Sequence, residues 1–90
     1  MKRLHLIIKG RVQGVFYRHN TKKKALALNL KGYVKNIPDG NVEVMAEGPE
    51  SNLKILLEWC WHGSPFSKVD DIEVKWSDSK GNYTDFSVDY

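Results

Sequence analysis

Apolar and polar residues alternate one by one from Leu4 to Lys9. Leu4, Leu6 and Ile8 share one face and His5, Ile7 and Lys9 the other, a two-residue period that predicts a strand ending at Gly10. From near Arg18 the period lengthens. Thr21, Ala25 and Leu28 fall on one helical face with Leu26 and Leu30 beside it, and Asn29 tolerates a left-handed helix stop. Gly32 follows, and Tyr33, Val34 and Ile37 favour a second strand. Pro38-Asp39-Gly40-Asn41 is a reverse-turn sequence, with Val42, Val44 and Ala46 alternating beyond it, so a hairpin is expected. Gly48-Pro49 breaks that strand, and proline suits the first turn of a helix. Leu53, Leu56, Leu57, Cys60 and Trp61 then recur at three- and four-residue intervals until Gly63-Ser64-Pro65. Alternation returns through Ile72, Val74 and Trp76, a polar loop spans Ser77 to Asn82, and Phe86, Val88 and Tyr90 form a last strand.

The order β-α-β-β-α-β-β, without repeat, linker or low-complexity tract, predicts an α+β fold. It is the ferredoxin-like split-βαβ arrangement, a two-layer sandwich with both helices on one face of an antiparallel sheet. The expected core includes the helix positions Ala25, Leu28, Leu53 and Leu57, and Trp59, Trp61 and Trp76 are expected at or near it.

Ninety residues suit one domain, spanning residues 1–90, which buries only about 60% of its unfolded surface. No apolar run is long enough to span a membrane, and Met1-Lys2-Arg3 lacks the apolar core of a signal peptide. Cys60 is the single cysteine, which leaves no intrachain disulfide and agrees with a reducing cytosol. The charge distribution is more telling than the net +3. Residues 1–38 carry ten Lys or Arg and no Asp or Glu, whereas residues 39–90 carry four basic and eleven acidic side chains. That asymmetry suggests an anionic ligand held by the N-terminal segment, with Lys22, Lys23 and Lys24 as a solvated helix face.

Candidate chemistry lies at the first strand-to-helix junction. Gly10 and Gly14 permit dihedrals closed to other residues, so that successive backbone N–H groups converge on one anion. The helix that follows adds its positive end, and Arg18 near that end can grip two phosphate oxygens with a planar fork. From this segment alone, a phosphate ligand and a surface ion pair are equally good accounts of Arg18. Asn36 stands just before the Pro38 turn, where a turn-forming role is the plain alternative. A carboxamide cannot remove a proton at neutral pH, although it can orient a water. A phosphoester, with its poor leaving group, would usually need an acid or a metal. A mixed carboxylic–phosphoric anhydride expels a carboxylate whose acid has a pKa of roughly 4. Charge neutralisation and a positioned water suffice for that bond, and the phosphate's own oxygen can take the water's proton.

Gly10-Arg11-Val12-Gln13-Gly14-Val15-Phe16-Tyr17-Arg18, with Thr21, resembles the signature of the acylphosphatase family. Gly32-Tyr33-Val34-Lys35-Asn36, Asp39-Gly40 and Val42-Glu43-Val44 resemble its second signature, and Gly48-Pro49, Gly63-Ser64-Pro65, Val69 and Phe86 to Tyr90 also resemble family positions. The resemblance runs from about Leu4 to Tyr90. It implies hydrolysis of acyl phosphates to a carboxylate and inorganic phosphate, with no metal, cofactor or covalent intermediate. It also implies phosphate binding by Arg18 and the main-chain amides of Gln13, Gly14, Val15, Phe16 and Tyr17, and water orientation by Asn36. Asn29 stands where the family commonly has Gly, and Tyr33 where it commonly has Trp. Both replacements are physically conservative.

His5, His19 and His62 lack metal-ligand spacing, and Cys60 on the apolar stripe reads as core rather than nucleophile. The rival function is an RNA-binding module, which shares this element order. Lys31-Gly32-Tyr33 begins like its aromatic strand motif, but Val34, Lys35 and Asn36 depart from the rest. The expected molecule is a cytoplasmic monomer acting on a small acyl phosphate, with no nucleic-acid or membrane partner.

Overall fold

The computed structural model describes residues 1–89; Tyr90, expected in the last strand, lies outside them. Strand β1 (Lys2–Arg11) leads through a loop to helix α1 (Tyr17–Ala27), then to strands β2 (Lys31–Asn36) and β3 (Val42–Gly48). Helix α2 (Glu50–His62) and strands β4 (Lys68–Asp78) and β5 (Phe86–Asp89) complete the order expected from the periodicities. The five strands form one sheet ordered β4-β1-β3-β2-β5. All neighbours are antiparallel except β2 and β5, which run parallel.

Alternation decides which face is buried. Leu4, Leu6 and Ile8 of β1, Val34 of β2, and Val42, Val44 and Ala46 of β3 point to one side, beneath Ala25, Leu53, Leu56 and Cys60 of the helices. Each such side chain, fully removed from water, contributes about 1.5–3 kcal/mol. Helix α1 packs on β2 and β5, and α2 on β4, β1 and β3. The opposite sheet face is not covered by the helices and carries the ion pairs Lys9–Glu73 and Lys35–Glu43 and a contact between His5 and Glu43.

Helix α1 stops as Asn29 allows. With φ 57° at Asn29, the amide of Leu30 reaches the Ala25 carbonyl at 3.0 Å and that of Asn29 the Leu26 carbonyl at 3.1 Å. The Pro38 turn closes through Ile37 N–H to Asn41 O, 3.0 Å, and Asn41 N–H to the Asp39 carboxylate, 3.1 Å.

Three expectations are corrected. Gly10 does not end β1 but bulges it: the register with β4 shifts between Lys9 and Gly10, and pairing continues to Arg11 with Lys68. Trp76 is exposed, as is Val74, because β4 is an edge strand whose outer stretch the helices do not cover. Trp61 is exposed because α2 buries only the narrow stripe Leu53, Leu56 and Cys60, and Trp61 follows its last member. Trp59 does pack against the core, its ring 5.6 Å from that of Tyr17.

Candidate active site

Topology brings the two sequence motifs to one end of the sheet. Strands β1 and β2 both run antiparallel to β3, so they are parallel to each other. Helix α1 connects the end of β1 to the start of β2, which leaves its N-terminus beside the end of β2, where Asn36 stands. The registers place Ile8, Val42 and Asn36 on one line across the sheet. Asn36 shares the parity of buried Val34, so it lies on the helix-covered face.

The loop from Val12 to Phe16 is fastened at several points. Gln13 donates its side-chain amide to the carbonyls of Ile37, 2.9 Å, and Asn41, 2.7 Å, tying the loop to the β2–β3 turn just beyond Asn36. Ser64, after α2, donates its hydroxyl to the Val15 carbonyl at 2.6 Å. Tyr17 is buried and donates its phenol to the Cys60 carbonyl at 2.7 Å. Burial, reinforced by Cys60, pushes the Tyr17 phenol far above its usual range, so it remains a neutral donor. Burial likewise pushes the Cys60 thiol up to about 12, which keeps it a protonated core group.

Backbone conformation in this loop suits an anion. Gly14 has φ 73° and Phe16 φ 62°, ψ 20°, so Phe16 is left-handed immediately before the right-handed turn of α1. Alternation of the two hands converges successive N–H groups into a concavity. Phe16 occupies the N-cap of α1, no side chain caps that end, and the first turn holds no acidic residue. The helix N–H groups that a Ser or Asp would ordinarily satisfy are thus left to something else.

Beside this loop opens a cavity of about 320 Å³ lined by Val12, Gly14, Phe16, Tyr17, Arg18, His19 and Val88. Of the residues singled out in the sequence, Gly14, Phe16, Tyr17 and Arg18 border it; Gln13 and Val15 lie in the loop behind, and Asn36 is not among its walls. Arg18 donates from Nη1 to the Asp89 carbonyl, 3.3 Å, in β5. Asp89 registers with Lys35, the neighbour of Asn36, so guanidinium and carboxamide converge on the same corner of the sheet. The Asn36 Oδ1 is buried and has no hydrogen-bond partner among the described residues. An acceptor in that state is costly, about 1–3 kcal/mol, unless it serves another molecule. No three His, Cys, Asp or Glu side chains gather among the described residues. Tyr33, the aromatic of the RNA-like run, lies on the open face, where its hydroxyl donates to Glu43 at 3.1 Å and its ring meets that of Tyr83.

Two features were missed in the sequence. Phe16 gives no local signal for a left-handed residue. Ser64 stands in a helix stop and among the positions resembling the family, but neither signals its bond to the Val15 carbonyl.

A ferredoxin-like fold with an uncapped, arginine-bordered loop at its first βα junction defines the class, a small two-layer α+β protein. Comparison with known proteins narrows this. The acylphosphatase family model matches residues 4–88, so the chain belongs to the acylphosphatase family. It is 44% identical over 88 residues to an acylphosphatase of Methylococcus capsulatus, covering 98% of this chain and 96% of that one. Identity to the acylphosphatase of Thermus thermophilus is 48% over 81 residues, 90% and 92% of the two chains. The crystal structure of acylphosphatase from Bacillus subtilis superposes with a TM-score of 0.96 at 46% identity, covering 100% of both chains.

Proposed function

We propose a division of labour for the hydrolysis of acyl phosphates, the activity that membership of the family gives this chain. Arg18 and the main-chain amides of Gln13 to Tyr17 hold the phosphate dianion, and Asn36 Oδ1 accepts one O–H of the attacking water. The water oxygen bonds to phosphorus as the bond from phosphorus to the acyl oxygen breaks. The carboxylate leaves with the electron pair, and the water's proton passes to a phosphoryl oxygen, giving carboxylate and dihydrogen phosphate. No group on the protein changes its protonation, which suits a site whose side chains are a guanidinium and a carboxamide. Residues 1–90 act as one domain without a metal or cofactor.

The observation that carries this reading is the orphaned Asn36 oxygen at the same sheet corner as the Arg18 guanidinium. It rationalises a water-holding amide better than a turn-forming one, because its oxygen makes no turn bond. With an aromatic acyl phosphate and excess chelator, carboxylate release should continue. Arg18→Ala and Asn36→Ala should each lower kcat/KM by about 100-fold or more, the scale for a lost oxyanion ligand. Activity retained in both variants would overturn the assignment.

The chain is proposed to act as a monomer in the cytoplasm. Its helix stripes are covered by its own sheet, its one cysteine is a buried free thiol, and no described helix is long and apolar enough to cross a membrane. No nucleic-acid partner is invoked, since the sheet face away from the helices carries Glu43 and Glu73 among its side chains.

A further inference from the structure

We propose that Ser64 is a positioning residue for phosphate binding, acting through the peptide unit between Val15 and Phe16. This rests on the phosphate-binding role given above to the loop amides. Every peptide bond among the described residues is trans, so the Val15 carbonyl and the Phe16 N–H point in opposite directions. The Ser64 hydroxyl takes the carbonyl at 2.6 Å, and Ser64 itself is only 4% exposed. Ser64 follows α2, which packs on the β4 and β1 side, whereas the cavity is bordered by Arg18 of α1 and Val88 of β5 on the other side. Pulling the carbonyl toward α2 therefore turns the Phe16 N–H toward the cavity.

The lever itself is rigid. Ser64 O accepts from Ser67 N–H at 3.0 Å and from the Ser67 hydroxyl at 2.8 Å, and Gly63 N–H bonds Trp59 O at 2.8 Å. A β-carbon on Gly63 would sit 3.0 Å from the Tyr17 ring, so the two loops are in close contact. Phe16 needs such a hold. Its left-handed backbone is uncommon for a bulky residue, and the residue is 73% exposed, so side-chain packing does little to fix the peptide. The Ser64 bond supplies what the ring does not.

The test is inorganic phosphate as a competitive inhibitor, with KM for an aromatic acyl phosphate measured beside it. Ser64→Ala should raise both the inhibition constant and KM about tenfold, the loss of one charge-assisted hydrogen bond. Ser64→Thr, which keeps the hydroxyl, should restore both. A merely structural role would reduce the folded fraction and so the apparent kcat, leaving both constants in place. In the unaltered protein, phosphate should shift the Phe16 amide proton strongly in NMR spectra, a measurement that survives even if Ser64→Ala fails to fold. Unchanged constants in Ser64→Ala, no rescue by Ser64→Thr, or an unmoved Phe16 amide would each overturn the inference. If Arg18→Ala also leaves phosphate inhibition intact, the underlying site assignment fails; if only Ser64→Ala does, this inference fails alone.

Discussion

Asn36 shows how a single residue can work against the fold that carries it. Its Oδ1 is buried on the helix-covered face without a hydrogen-bond partner among the described residues, so the folded state gains nothing from that acceptor. Removing an unsatisfied polar atom is neutral or stabilising, whereas removing a satisfied one costs about 1 kcal/mol. Asn36→Ala should therefore leave the urea midpoint unchanged or raise it while turnover collapses. A loss of stability beyond about 1 kcal/mol would mean that the amide is a structural member of the turn. Arg18 and Asn36 were legible as sequence because each is a chemically distinctive side chain next to a turn signal. The conformation of Phe16 was not, because nothing in a phenylalanine announces φ 62°. The contact that holds the preceding carbonyl comes from Ser64, 49 residues beyond Val15, which no local pattern announces.

At the level of elements, the loop between β1 and α1 is held differently at its two glycines. Gly10 has φ 134° within the bulge, and a β-carbon there would overlap the Lys68 carbonyl of β4. Gly14 has φ 73°, with no atom within 4 Å of where its β-carbon would be. Gly14→Ala should cost only the left-handed strain of about 1–2 kcal/mol. Gly10→Ala must also move backbone, so chemical denaturation should show it several-fold more destabilising. Equal losses would show that the bulge yields easily. All seven elements could be read from the changes of period between two and about 3.6. Alternation gives the face of a residue but not its distance from the sheet edge, which is why Trp76 is exposed although expected near the core. Trp76 and Val74 share the inward parity of Ile72, yet β4 pairs with β1 on one side and with no described strand on the other.

Across the whole molecule, the sheet face remote from the helices is tied together by Glu47. Glu47 is 4% exposed, and its carboxylate accepts from Arg3 Nε at 2.7 Å and from the Lys80 amide at 3.1 Å, joining β3, β1 and the loop that leads to β5. Burial alone would raise the Glu47 pKa, but the Lys80 amide and the Arg3 guanidinium outweigh it and hold the group below its ordinary 4.5. A lowered folded pKa contributes stability that is present above the unfolded value and lost as pH falls through the folded one. Glu47→Gln should accordingly destabilise by about 3 kcal/mol or more at pH 7, since it strands a buried arginine. The gap to the unaltered protein should narrow below pH 4.5. A gap independent of pH would assign the loss to shape rather than charge. Strand β5 has a further consequence. It is four residues long, comes last among the described elements, has β2 as its one neighbour among the described strands, and lends Arg18 the Asp89 carbonyl. A chain emerging from the ribosome can lay down four of the five strands and both helices while its guanidinium still lacks that anchor. That contact therefore forms only once these late residues have settled beside β2, however early the rest of the sheet is laid down.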